Sequence, residues 1–111
     1  MKVLIINGSP RMNGNTTIAV NELVKVFKNE EVETEVMQIG NKDVRGCIAC
    51  GTCYKKGKCV FDDVVNEFAA KAKEADGFIF GTPVHYAAAS GAMTSFIDRL
   101  FYSTFTNPDI F

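Results

Sequence analysis

The stretch Val3-Leu4-Ile5-Ile6-Asn7-Gly8-Ser9-Pro10-Arg11-Met12-Asn13-Gly14-Asn15-Thr16-Thr17 decides the fold. Val3–Ile6 is a continuous apolar run closed by Asn7-Gly8-Ser9-Pro10, the pattern of a short strand buried on both faces, as in a parallel sheet. Asn13 to Thr17 is polar and rich in residues that cap helices. Beyond it, Val20, Leu23, Val24 and Phe27 recur at i, i+3, i+4 and i+7, which predicts one buried helical face. A buried strand that runs through a polar turn into a helix start is the opening of an alternating α/β fold.

The rest of the chain continues the alternation. In Val32–Ile39, Val32, Thr34 and Val36 alternate with Glu31, Glu33 and Glu35, so a strand with one solvated side is predicted near a sheet edge. Gly40 to Cys59 has no period and reads as a long loop, of a length that usually carries function. Asp62-Asp63 caps a second helix with Val65, Phe68, Ala69 and Ala72 on its buried face. Gly77–Gly81 encloses Phe78-Ile79-Phe80, a second fully apolar strand. Thr82 to Ala89 is read as a loop holding Pro83. Ser90 opens a third helix with Met93, Phe96, Ile97 and Leu100 in register. Asp98-Arg99 reads as a surface or capping ion pair of that helix. The predicted class is an α/β, doubly wound parallel sheet with right-handed crossovers. Ligands of such sheets bind outside the carboxyl ends of the strands. The loops Gly8–Thr17, Gly40–Cys59 and Thr82–Ser90 therefore share one rim.

Composition narrows the function. The chain has 111 residues, 47% hydrophobic, with nine Phe, and a net charge of -1. That is one globular domain, with no basic field to favour nucleic acid. No apolar run approaches the ~18 residues of a membrane span, and the Val3–Ile6 run is too short for a signal peptide. The expected setting is cytoplasmic, where four Cys point to metal or redox work rather than a disulfide scaffold.

The loop after the first strand suits an anion, because a helix N-terminus presents free N–H groups and the positive end of its dipole. It is not a Walker A loop, since Asn15 follows Gly14 where Lys would stand. It has no G-x-G-x-x-G fingerprint, and no Cys nucleophile precedes Arg11. What remains is a cradle of neutral donors with a single cation, suited to a terminal phosphate monoester. A polar turn that merely caps its helix is the plainer alternative.

Asn7-Gly8-Ser9-Pro10-Arg11 with Asn13-Gly14-Asn15-Thr16 resembles the phosphate loop of the flavodoxin-like NAD(P)H-dependent FMN reductases. Gly81-Thr82-Pro83-Val84-His85-Tyr86, Ser90-Gly91-Ala92-Met93 and Phe96-Ile97-Asp98-Arg99 resemble that family's second flavin loop and following helix. The resemblance implies that Ser9, Arg11, Asn13, Asn15, Thr16 and Thr17 hold the FMN phosphate. It implies that Thr82, Pro83, Val84, His85 and Tyr86 line the isoalloxazine ring. His85 and Thr94 depart from the aromatic and the Lys usual there. It further implies an FMN oxidoreductase that takes electrons from NAD(P)H to a quinone, flavin or other small acceptor, as a homodimer or tetramer. No side chain is then required as acid, base or nucleophile, because the chemistry belongs to the cofactor. The family's sheet has the order 2-1-3-4-5. Three strands are present here in the order 2-1-3, so residues 1–111 are expected to be the N-terminal part of a longer FMN-binding domain. Phe78–Phe80 would then be an apolar edge strand, and the tail Phe105–Phe111 would lack a partner.

Cys47, Cys50, Cys53 and Cys59 give C-x2-C-x2-C-x5-C. The bacterial ferredoxin run has its fourth Cys closer and followed by Pro, whereas Val60 follows Cys59. Zinc usually takes two C-x2-C pairs across a longer span. The compact spacing resembles that of the iron–sulfur flavoproteins, a branch of the same family, which implies one [4Fe–4S] cluster held by all four. Reactive or disulfide-forming thiols, activated by Lys55, Lys56 and Lys58, and structural thiols are the alternatives. Two other functions go with them: an electron-transfer protein served by a ferredoxin-like partner, and a thiol sensor that merely keeps the fold.

Overall fold

A computed structural model describes every residue from Met1 to Phe111. Strand β1 (Lys2–Asn7) leads into helix α1 (Asn15–Asn29) and strand β2 (Glu33–Gln38). A helical turn α2 (Cys53–Lys56), helix α3 (Val64–Ala72) and strand β3 (Gly77–Gly81) follow, then short strands β4 (Val84–His85) and β5 (Ala88–Ala89), and helix α4 (Gly91–Thr104). The main sheet is parallel in the order β2-β1-β3, with Ile5 opposite both Val36 and Ile79. This is the predicted doubly wound arrangement.

The strand period of two divides β1 between two cores. Leu4 and Ile6 point to the side of α3 and α4, where Phe68, Met93, Phe96 and Leu100 are almost wholly buried. Val3 and Ile5 point to the side of α1 and pack with Val20, Val24, Phe27 and Ile79. Phe68 is the centre of the larger core. Its ring meets Phe96 edge-on at 5.4 Å, and Phe78 and Phe80 tilt against it at 5.9 and 6.2 Å. Truncating such a residue costs about 3–5 kcal/mol. The predicted buried faces of α3 and α4 are the observed ones, although Ile97 is only partly covered. On α1, Val20 is buried whereas Leu23 is largely exposed.

Three details differ from the sequence reading. Glu35 is not on a solvated side: paired beside Leu4, it shares the α3 face with Met37 and meets Lys71 at 2.8 Å. That hydrogen bond holds the Glu35 carboxyl below its usual range against the opposing pull of burial. The segment after β3 is not an open loop but an antiparallel hairpin, β4 with β5. Its turn residues Tyr86 and Ala87 both have positive φ, of 34° and 61°. Without a glycine there, the sequence carries no hairpin signal. The tail does find partners. A turn over Asn107–Ile110 folds it back, Ile110 is buried, and the Phe111 ring lies 5.0 Å from Phe78 and 5.1 Å from Phe101. β3 still stands at the edge of the sheet, its apolar residues half-buried.

Candidate cofactor-binding site

Above the carboxyl end of β1, Asn7 organises the first loop. Its side-chain amide donates to Thr17 Oγ1 at 2.9 Å, and its Oδ1 accepts from the Ser9 N–H at 3.0 Å. Ser9 Oγ in turn accepts from the Arg11 N–H at 3.2 Å. From the end of β2, Gln38 Nε2 donates to the carbonyls of Ser9 and Arg11 at 3.0 and 3.1 Å. Asn7 and Gln38 were not singled out by the sequence reading. Their only signal is a polar residue that ends each of two neighbouring strands.

Helix α1 begins at this loop with Gly14 as its N-cap and no side-chain cap. Its first turn holds no acidic residue. The terminal N–H groups are therefore unclaimed, and no carboxylate offsets the positive end of the helix. Ser9, Arg11, Asn15 and Thr16 line a pocket of about 180 Å³ there, closed on the far side by Pro83 and His85. The Arg11 side chain is exposed and forms no salt bridge. One free cation beside uncapped N–H groups is an arrangement that binds a phosphate group.

Other predicted site residues lie around this pocket rather than in its wall. Asn13 is exposed on the turn. Thr17 is held beneath the loop, where it accepts from Asn7 and donates to the Arg11 carbonyl. Thr82 donates to the Pro83 carbonyl and accepts from the Ser90 N–H, fixing the start of the hairpin. Val84 and Tyr86 project from the hairpin into solvent. Ser90 caps α4 through Met93 N–H and donates to the Gly8 carbonyl at 3.0 Å, so one buried hydroxyl joins the two loops.

The four cysteines line a second pocket, against α4. Cys47 and Cys50 are exposed, Cys59 is half-buried and Cys53 is buried. Val60, Phe61 and Arg99 complete its wall, and its free volume of about 20 Å³ holds roughly one water. All four side chains are free thiols. The donor set suits an iron–sulfur cluster in number and chemistry, and all four line one pocket, although no three of the groups stand within ligating range of one point. Their surroundings differ. Cys47 Sγ accepts from the Ala49 N–H, and Cys59 Sγ accepts from Arg99 Nε at 3.4 Å. Cys50 and Cys53 donate to Thr52 Oγ1 and to the Tyr102 carbonyl. Once ionised, Cys50 Sγ accepts from Thr52 instead, which pulls its thiol down, while burial pushes Cys53 up. Lys55, Lys56 and Lys58, the activating groups of the alternative in which the thiols are reactive, are exposed and do not line this pocket.

Arg99 corrects another expectation. It is not half of a surface pair with Asp98. Its side chain is wholly buried and grips Asp63, the N-cap of α3, at 2.8 and 2.9 Å. Position 99 adjoins the Phe96–Leu100 stripe, so the helical period places it at the edge of the core.

A profile of NADPH-dependent FMN reductases matches residues 1–110. The chain belongs to the NADPH-dependent FMN reductase family. Within this family's wider circle, it is 42% identical over 89% of its length to an iron–sulfur flavoprotein of Methanocaldococcus jannaschii, covering 51% of that protein. It is 37% identical over 90% of its length to an iron–sulfur flavoprotein of Archaeoglobus fulgidus, covering 46% of it. An FMN-dependent NADPH-azoreductase of Staphylococcus aureus is 29% identical over 90% of the chain, and 52% of that protein is covered. The chain spans about half the length of the curated relatives it matches. Among solved structures, RosB with a bound riboflavin-phosphate intermediate superposes with a TM-score of 0.70 at 21% identity, covering 90% of this chain and 42% of that one. That likeness shows the flavodoxin-like fold of this FMN reductase family member. No helix is long and apolar enough to cross a membrane.

Proposed function

We propose that this chain contributes the FMN-binding part of an oxidoreductase that takes electrons from NAD(P)H to a quinone, flavin or other small acceptor. The observation that carries the reading is the pocket between the first loop and the hairpin, where Arg11 and the uncapped start of α1 meet Pro83 and His85. Ser9, Arg11, Asn13, Asn15, Thr16 and Thr17 would hold the phosphate, the last through the loop it supports. Thr82, Pro83, Val84, His85 and Tyr86 would border the flavin ring. FMN bound there would supply the redox chemistry between nicotinamide and acceptor. The protein's share is position: Asn7, Gln38 and Ser90 lock the two loops, and the exposed hairpin offers apolar surface to a flat ring. Fluorescence titration with FMN tests this, followed by NAD(P)H oxidation with added FMN. Saturable binding and turnover are expected; a chain that neither binds FMN nor turns over overturns the reading.

A second reading is favoured by the four free thiols that line one pocket. In it Cys47, Cys50, Cys53 and Cys59 hold a [4Fe–4S] cluster, and the protein relays electrons from a ferredoxin-like donor. Two of the similar proteins are named iron–sulfur flavoproteins, which supports it. A cytoplasmic setting, where thiols stay reduced, suits both readings. Iron and acid-labile sulfide on anaerobically prepared protein decide between them: about four irons per chain are expected for the cluster, and none removes it. A homo-oligomer is also proposed, to be checked by sedimentation of the FMN-loaded protein. Intact-mass measurement on protein from the source cells tests whether residues 1–111 are the N-terminal part of a longer domain.

A further inference from the structure

The segment from Arg45 to Asp63 carries all four cysteines, and its only regular structure before α3 is the turn α2. A loop of that length needs something other than its own backbone to set where its thiols sit. Arg99, projecting from α4, meets it at four points. Nη1 donates to the Arg45 carbonyl at 3.2 Å, two residues before Cys47. Nε donates to Cys59 Sγ at 3.4 Å. Nη2 donates to the Phe61 carbonyl at 3.1 Å, two residues after Cys59. Both nitrogens Nη1 and Nη2 also fork onto the Asp63 carboxylate. All five N–H groups of the guanidinium are thus used, with none left over for water.

We propose that Arg99 is the positioning residue of the cysteine loop: it ties both ends of the segment to α4 and gives Cys59 an N–H donor of permanent charge. The inference rests on the reading that the four thiols share one metal centre. No other thiol of the set has a charged partner. Four thiolates drawn to one point repel one another, and a buried cation in the wall offsets part of that charge. The Asp63 carboxylate in turn keeps the buried guanidinium paired, which a lone buried charge requires. Lysine cannot replace it, because one ammonium has three donors and no planar fork to reach two carbonyls, a sulfur and a carboxylate together.

The experiment uses the full chain in three forms: wild type, Arg99→Lys, and the double variant Asp63→Asn with Arg99→Met, which strands no carboxylate. The rate at which a thiol reagent labels each cysteine is read by mass spectrometry on metal-free protein. Iron content and reduction potential are read on the anaerobic holoprotein. Labelled at about pH 10, where the thiols are ionised in every form, Cys59 of the double variant is expected to react about tenfold faster because the released segment no longer half-covers it, with the already exposed Cys50 unchanged. Its centre is expected to be harder to reduce by about tenfold, which is about 59 mV for one electron. Arg99→Lys keeps the charge and so restores the potential, yet leaves Cys59 labelling fast. Unchanged Cys59 labelling in a folded double variant overturns the proposal. Should the double variant not fold, wild-type labelling in Arg99→Lys overturns it instead. FMN titration on the same samples keeps the two readings apart. A wild type that lacks iron overturns the shared metal centre and the charge role at Cys59, while labelling still judges the anchor. A wild type that refuses FMN overturns only the flavin reading.

Discussion

Gly40, just beyond β2, lies so close against Ser9 that a Cβ on it would overlap the Ser9 carbonyl. The backbone after the second strand thereby supports the loop after the first. Gly40→Ala must push that loop away, an overpacking cost of about 1–3 kcal/mol. The displaced Ser9 and Arg11 should weaken FMN by about tenfold or more, read by fluorescence titration. Native affinity would show that the loop does not depend on this contact.

Arg11 offers its side chain to the phosphate pocket and to no partner within the chain. Arg11→Ala should therefore leave the melting temperature unchanged while FMN affinity falls about 10- to 100-fold, the loss of a hydrogen bond between charged groups. A variant that still binds FMN at wild-type affinity would remove Arg11 from the site.

Ala87 holds φ at 61° in the hairpin turn, a conformation that costs an L-residue about 1–2 kcal/mol. Ala87→Gly should relieve about 1 kcal/mol of this and raise the melting temperature by a few degrees. The measurement is calorimetric. No gain would mean that the turn relaxes without cost.

Tyr54 and Tyr102 bring their hydroxyls to 2.5 Å, which joins α2 to α4. This hydrogen bond pushes the Tyr102 phenol up to about 12. A phenol raised in the folded state stays protonated while the unfolded chain loses its proton near 10. Its contribution to stability is thus complete below pH 10 and is lost as pH rises from 10 to about 12. Ultraviolet titration should show one late-ionising tyrosine in the wild type and none in Tyr54→Phe, whose stability should also lose that alkaline slope.

What could be read from the sequence was whatever depends on neighbours along the chain. The Val3–Ile6 run, the helical stripes of Val65–Ala72 and Met93–Leu100, and the cap at Asp63 are local patterns, and each appears where its period places it. The Ser9–Thr17 loop was legible for the same reason, since a turn between a buried strand and a helix start exposes donors whatever the rest of the fold does. Tertiary structure alone decided the partners. Nothing in Asp98-Arg99 announces that Arg99 turns inward to Asp63, because a buried charge is set by what faces it across 36 residues of chain. The hairpin at Val84–Ala89 arose against local preference, and Gln38 reached the first loop only because parallel pairing set β2 beside β1. Periodicity is a property of one segment, whereas hydrogen-bond partnership is a property of two segments brought together by packing.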